Sequence, residues 1–240
     1  MNYKGIELRH ELKYYINELE YNYLNSRLKV ITRIDENTDE NGEYHVRSLY
    51  FDDISNSSYN QKEGGVFQRK KYRIRIYNKS DSVILLEKKE KFDKYISKSN
   101  RLINKVFYNK LINNDLNIKD FLKDEFLLEF YTEIKMNSLK PVVIVDYIRE
   151  PYIYSSGNVR ITFDKKLQTV INSYDIFDSS SVTTSPIIDG GIILEVKYDD
   201  YLPEFIRREL RMERHQQMAL SKYTICRDFK NNLDWREREL

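Results

Sequence analysis

The sequence predicts an α+β fold built on an antiparallel sheet of about eight strands with flanking helices. Three observations carry this. Stretches of alternating polar and apolar residues recur before and after a central helical stretch, which argues for one α+β unit spanning residues 1–240 rather than two domains. The chain is rich in strand-forming aromatics, with 20 Tyr and 11 Phe. Only 7 Gly and 4 Pro occur in 240 residues, too few for long disordered linkers.

Along the chain, residues 6–16 alternate and read as a strand, and 18–31 carry Leu19, Tyr23, Leu24, Leu28 and Ile31 at helical spacing. A polar loop at 35–42 leads to a strand at 45–51 and a turn or short helix at 55–65. Three strands follow at 67–77, 83–91 and 94–103, joined by short polar stretches that suit hairpins. Residues 119–135 form an amphipathic helix. Strands return at 141–149, 159–164, 192–198 and, more weakly, 167–171. Residues 178–185 read as an exposed loop, and 204–214 and 220–229 as helices.

Charge is unevenly placed. The net charge is +2, but residues 67–101 hold twelve Lys and Arg against four Asp and Glu, whereas 35–53 hold seven acids and one Arg. Such segregation suggests an anion-binding surface, with a solvated basic face as the plainer alternative. Cys226 is the only cysteine, so no intrachain disulfide or thiolate metal site is available, and a reducing, cytoplasmic setting is expected. No signal peptide is recognisable and no window approaches 18 apolar residues, so no membrane span is expected.

Side chains two apart share a strand face. Arg9, Glu11 and Lys13 therefore share one face, as do Arg73, Arg75 and Tyr77, and Glu87, Lys89 and Lys91. Arg160, Thr162 and Asp164 form another such set, Glu195 and Lys197 another, and Tyr147 and Arg149 extend the series. The opposite faces are apolar. A half-buried sheet alternates in the same way, but its wet face mixes Thr, Ser, Gln and charges, whereas here Arg or Lys recurs on strand after strand. If the sheet closes, these charges face one another inside a barrel, where unpaired cations are costly. A polyanion in the lumen would offset that cost. Arginine suits phosphate through its two-pronged fork, and interspersed carboxylates can hold a cation that bridges phosphate oxygens.

The quoted segments, in order, are RHELKYYI (9–16), VRSLYFDD (46–53), RKKYRIRIY (69–77), LLEKKEK (85–91), SKSNR (97–101), VDYIREPY (145–152), VRITFDKKL (159–167), ILEVKYDDYLP (193–203) and SKY (221–223). Together they resemble the VTC domain, a polyphosphate polymerase domain of the triphosphate tunnel metalloenzyme superfamily, which also contains the CYTH triphosphatases and class IV adenylyl cyclases. The resemblance spans nearly the whole chain. It implies an antiparallel β-barrel tunnel with a phosphate-binding set of Lys13, Arg73, Arg75, Lys89, Lys98, Arg149, Arg160, Lys197 and Lys222. Of these, Arg73, Arg75, Arg149, Arg160, Lys13 and Lys222 would act on the transferring group. Glu195 is the implied main ligand of a Mn²⁺ or Mg²⁺ ion, with Glu11 and Glu87 as weaker candidates. Lys89 is placed inward by alternation, though a bulge would exchange it with Lys88.

The expected reaction is transfer of the ATP γ-phosphoryl group to a growing inorganic polyphosphate chain. Hydrolysis of tripolyphosphate or a nucleoside triphosphate, and binding without turnover, stay open as alternatives. The CYTH signature ExExK is here Arg9-x-Glu11-x-Lys13, a departure that favours the VTC branch. ATP and polyphosphate are the expected partners. DNA is not expected, an RNA 5′-triphosphate is left open, and so is a membrane-protein partner. Other features have plainer readings. His10, His45 and His215 fit no metal spacing, and Gly64-Gly65 lacks the context of a phosphate loop. Arg207, Arg208, Arg211 and Arg214 with Glu204, Glu209 and Glu213 suit ion pairs on a solvated helix.

Overall fold

The computed structural model describes every residue except 1, 4, 5, 8, 93, 94, 123, 188, 211–215, 239 and 240, and not the side chains of 2, 3, 6, 7, 95 and 234–238. A short hairpin, β1 (Asn2–Tyr3) and β2 (Ile6–Glu7), precedes β3 (His10–Ile16). Helix α1 (Glu18–Ile31) starts where Asn17 caps it. The Asn17 side chain accepts from the Glu20 amide, and the Glu20 carboxylate accepts from the Asn17 amide, so two orphan donors are satisfied at once. Then come β4 (Arg33–Ile34), β5 (Tyr44–Asp52), α2 (Ser57–Glu63) and the meander β6 (Gln68–Tyr77), β7 (Ile84–Phe92) and β8 (Tyr95–Ile103).

Helix α3 (Lys105–Ile112) was not foreseen; Asn104 caps it, accepting from the Phe107 amide at 2.8 Å. Helix α4 (Glu125–Met136) begins later than periodicity predicts, because Asp124 accepts from the Leu127 amide and sets the start. The chain continues through β9 (Lys140–Tyr154), β10 (Val159–Val170), β11 (Thr183–Thr184), β12 (Ile192–Tyr198), α5 (Glu204–Glu209) and α6 (Lys222–Arg238). The two strands expected at 159–164 and 167–171 are one, β10. Their apparent break is a bulge between Lys165 and Gln168, with Lys166 at φ +52°. Leu210 closes α5, whereas Arg211, Glu213, Arg214 and His215 lie outside the described residues.

Every strand pairing is antiparallel, in the order β3-β12-β10-β9-β5-β6-β7-β8, with β4 on β9 and β11 on β10. The two ends, β3 and β8, do not pair with each other among the described residues. The sheet instead curls into a tunnel whose seam is bridged by side chains, Lys89 of β7 reaching Glu11 of β3. An extended segment also covers the free edge of β3: Gln217 bridges to Tyr14, and the Met218 amide donates to the Lys13 carbonyl at 2.9 Å.

The apolar strand faces point outward and are covered by helices. Helices α1 and α5 bury Leu24, Leu28 and Ile206 against Ile161, Phe163, Leu194 and Val196. Helices α3 and α4 bury Tyr108, Leu111, Phe126 and Phe130 against Leu49, Phe51, Tyr72 and Ile74. Phe130 is fully buried and meets Phe51 edge-on at 5.5 Å, a contact within a burial that stabilises by about 1.5–3 kcal/mol per aromatic side chain. Helix α6 packs on the other, concave face. Its Tyr223 and Cys226 join Tyr50, Val143, Val145 and Tyr147. The Tyr223 hydroxyl donates to Asp52 at 2.6 Å, anchoring the helix inside the curl. Among the described residues no helix is long and apolar enough to cross a membrane.

Candidate functional site: a cation-lined tunnel

Strand register places the charges of the concave face. Lys13 lies opposite Glu195 and Glu11 opposite Lys197 across β3 and β12. Thr162 lies opposite Glu195, and Asp164 opposite Arg149. Arg73 lies opposite Glu87, and Arg75 opposite Ser48. The curl brings these rows around an inner chamber of about 70 Å³. Lys222, the first residue of α6, reaches into it from the plugging helix.

Four carboxylates organise the cations. Glu195 accepts from Lys222 at 2.8 Å and pairs with Lys197 at 3.3 Å, Lys13 at 3.5 Å and Arg149 at 3.5 Å. Asp164 receives the Arg149 fork through Nε at 2.6 Å and Nη2 at 2.7 Å, and also pairs with Lys222. Glu11 binds Lys89 at 3.0 Å, Lys197 at 3.3 Å and Lys13 at 3.7 Å. Glu87 binds the Arg73 Nε at 2.5 Å and also Lys98.

Burial alone would raise all four carboxyl pKa values. Lys222, Lys13, Lys197 and Arg149 outweigh it at Glu195, and Lys89, Lys13 and Lys197 outweigh it at Glu11, holding both well below the ordinary range. Arg149 and Lys222 depress Asp164, and Arg73, Arg75 and Lys98 depress Glu87. All four are therefore anions. Among the cations, burial is again the largest influence and favours the neutral amine. Asp164 and Glu195 overcome it at Lys222, and Glu11 and Glu195 at Lys13, so both amines are raised. At Lys89 burial prevails, assisted by Lys13 and Lys197, and its pKa falls to about 7 despite Glu11.

Tyrosines complete the wall. Arg73 donates to the Tyr50 hydroxyl at 2.8 Å, and Arg75 to the Tyr147 hydroxyl at 3.2 Å and Ser48 Oγ at 3.1 Å. Arg149 and Lys222 lie over the Tyr147 ring at 5.3 and 5.1 Å. Each guanidinium is thus fixed by part of its five-donor fork, the preorganisation that phosphate recognition needs.

Of the residues expected in the phosphate-binding set, Lys13, Arg73, Arg75, Lys89, Arg149, Lys197 and Lys222 line the inner chamber. Lys98 reaches Glu87 from the edge strand with 43% of its side chain exposed. Arg160 stands apart: it lies opposite Lys197 across β10 and β12 but is tied to Asp35 at 2.6 Å and to the Tyr44 hydroxyl at 3.1 Å, and is not part of the chamber wall. Lys88 points outward to Glu129 of α4 at 2.7 Å, which resolves the register between Lys88 and Lys89. Arg9 pairs with Asp199 at 2.8 Å, outside the chamber. Four chamber residues escaped sequence reasoning: Lys71, Tyr50, Ser221 and Tyr223. Lys71 was within reach, being two residues before Arg73 on the same strand. The tyrosines carry no sequence signal that separates them from packing tyrosines.

A divalent cation finds a partial site. Among the described residues no three His, Cys, Asp or Glu side chains come together as a metal cage. Glu11 and Glu195 nevertheless share Lys13 and Lys197 as counter-ions. Thr162, opposite Glu195, keeps a buried Oγ1 with no hydrogen-bond partner among the described residues. Magnesium and similar ions are commonly held by one or two carboxylates together with substrate phosphates. The Glu11–Glu195 pair fits a cation that arrives with phosphate. Glu87 stands among a different group of cations, Arg73, Arg75 and Lys98.

No curated protein matches this chain in sequence. Among solved structures, a Hippeastrum protein described as an adenylyl cyclase candidate with a dominant triphosphatase activity aligns with a TM-score of 0.56 at 13% identity, covering 94% of this chain and 97% of that one. An adenylate cyclase candidate from Bacillus halodurans aligns with a TM-score of 0.53 at 14% identity, covering 90% of this chain and 95% of that one. At such identities the likeness is one of fold alone, an antiparallel sheet flanked by helices. The model of the VTC domain matches residues 8–229, which takes in all the principal strands of the curled sheet and the first turns of α6. The chain belongs to the VTC domain family.

Proposed function

We propose that this protein is a metal-dependent phosphotransferase of the polyphosphate polymerase type, moving the γ-phosphoryl group of ATP to a growing polyphosphate chain. The observation that carries this reading is the charge balance of the inner chamber. Eight Lys and Arg side chains line it against Glu11 and Glu195. Counting Glu87 and Asp164, which pair with its arginines, eight basic side chains still face four carboxylates, and the amines of Lys71 and Lys89 are pushed toward their neutral forms. A buried excess of this kind is unfavourable without a bound polyanion.

Phosphoryl transfer needs in-line positioning and charge neutralisation more than a protein nucleophile. In the proposed reaction a terminal oxygen of the chain attacks the γ-phosphorus, the bond to the β-phosphate oxygen breaks, and ADP leaves. Arg73, Arg75 and Arg149, locked by Glu87, Tyr147 and Asp164, hold the transferring oxygens. Lys13, Lys197 and Lys222 neutralise the adjoining phosphates, and Lys98 supports Glu87. Arg160 is assigned to the ligand's path, because Asp35 holds it away from the chamber. A Mn²⁺ or Mg²⁺ ion held by Glu195 with Glu11 would supply further neutralisation of phosphate charge.

A second reading is hydrolysis of tripolyphosphate or a nucleoside triphosphate, with water as attacker. The triphosphatase activity of the Hippeastrum structural relative favours it. The deciding experiment incubates the purified protein with ATP and Mn²⁺ and resolves products by gel electrophoresis and phosphorus NMR. Long phosphate chains with ADP, lost in Glu195→Gln, support the polymerase. Orthophosphate alone supports the hydrolase. Unchanged ATP with measurable polyphosphate binding overturns both in favour of a binding module.

A further inference from the structure

The β6–β7 ladder changes character along its length. Deep in the tunnel Arg73 faces Glu87, but toward the mouth Lys71 lies directly opposite Lys89, and Arg69 directly opposite Lys91. Opposite charges across an antiparallel pair stabilise, and like charges so placed destabilise. Two successive like-charge rungs on one face therefore repel each other, a cost that Glu11 offsets in part at Lys89.

These four side chains line a second, wider cavity of about 490 Å³, which shares Lys71, Lys89, Glu11 and Lys13 with the inner chamber. Lys62 of α2 joins them. Lys71 forms no hydrogen bond or ion pair with any described residue and lies over the rings of Tyr50 and Tyr223 at 5.7 and 5.4 Å. Burial first, and then Lys89, Lys13 and Arg73, push its ammonium well below the usual lysine range. The inner cations each pair with a carboxylate; Lys71 at the junction pairs with none among the described residues, and Glu11 offsets its burial only in part. Among the described residues no aromatic side chain lines the wider cavity, so they offer a nucleobase no stacking surface.

We infer that the outer half of the β6–β7 ladder, Arg69, Lys71, Lys89 and Lys91, is a second anion subsite, which holds the phosphates of an inorganic polyphosphate chain beyond those in the inner chamber. This rests on reading the inner chamber as a phosphate site. A short ligand fills the inner chamber alone, and a longer one spans both compartments and relieves the repulsion on the two rungs.

The test is calorimetric titration of the full chain with inorganic tripolyphosphate and with a polyphosphate of about fifteen phosphates. The wild type is expected to bind the longer ligand about tenfold tighter or more, as one or two further charge-assisted contacts would give. In R69Q/K91Q that advantage disappears, while tripolyphosphate affinity changes by less than about threefold. Lys71→Met, measured without ligand, is expected to melt at a higher temperature than the wild type, because it removes a buried amine that forms no hydrogen bond or ion pair with any described residue and faces Lys89 and Lys13. Equal affinity of the wild type for both ligands, a double variant that weakens both equally, or a lower melting temperature for Lys71→Met would overturn the inference. Failure of the wild type to bind either ligand would instead overturn the reading of the inner chamber on which it rests.

Discussion

Lys89 and Glu11 belong to strands that five others separate in the sheet order, yet the Lys89 ammonium donates to both Glu11 oxygens, at 3.0 and 3.2 Å. This contact records the curl of the sheet, and it places a lysine of shifted pKa where the inner chamber meets the wider cavity.

Lys89 makes ligand binding dependent on pH. Its pKa of about 7, set by burial and by Lys13 and Lys197 against Glu11, lies below the ordinary value of about 10.4. A bound polyanion favours the charged amine, so binding takes up protons between those limits, and affinity falls as pH rises through 7 and beyond. The sign for stability is the reverse. The unfolded chain binds the extra proton across the same window, so this group makes the unliganded protein more stable as pH rises. Titrations in buffers of different ionisation heat report the proton uptake, and melting curves at several pH values report the stability. A binding constant that does not change between pH 6 and about 9 would refute the shift.

Glu195→Gln separates chemistry from binding. Metal-dependent turnover is expected to fall by about a hundredfold or more, with full activity in the variant excluding Glu195 as the cation's holder. Tripolyphosphate binding without metal is expected to persist, because the substitution removes a negative charge facing the ligand. Without ligand the variant is expected to lose about 3–5 kcal/mol of stability, since Lys222, Lys13 and Lys197 lose a shared partner in a buried setting. Denaturant titration with and without tripolyphosphate checks both.

Arg149→Lys is not a conservative change. The Arg149 fork gives Asp164 two parallel hydrogen bonds within a site where Asp164 is nearly inaccessible. A lysine can replace one of them. The expected cost is about 3 kcal/mol, close to that of breaking a buried ion pair, read as a lower urea midpoint. Unchanged stability would mean that Lys222 alone satisfies Asp164.

Cys226 is fully buried where α6 packs into the concave face, and burial pushes its thiol pKa up. It is expected to resist aromatic disulfide reagents in the native state and to react fully in denaturant. Fast native labelling would show that α6 undocks readily from the tunnel.

Asn17→Ala supplies a control remote from the chamber. Loss of the capping box with Glu20 is expected to cost about 1 kcal/mol, with tripolyphosphate affinity unchanged. A change in affinity would show that α1 and β3 transmit strain to Glu11 and Lys13.

Much of this was legible in the linear chain. Helix α1 spans the residues its periodicity predicts, Glu18–Ile31, because spacing and cap agree. The strand faces carrying Lys13, Arg73, Arg75, Arg149 and Lys197 follow from a period of two, which the covalent geometry of extended backbone imposes on any sequence. Helix α3 was missed because its eight residues are too few for periodicity to stand out, leaving Asn104 as its main signal. Local geometry decides which side chains share a face. It cannot say which faces meet. Only the tertiary structure tied Arg160 to Asp35, left β3 and β8 unpaired with each other while Lys89 of β7 reaches Glu11 of β3, and set α6 inside the curl. Only the register between β6 and β7 made Lys71 and Lys89 opposite neighbours. These are contacts between residues distant in sequence, and their choice depends on how the whole sheet twists and packs rather than on any local preference.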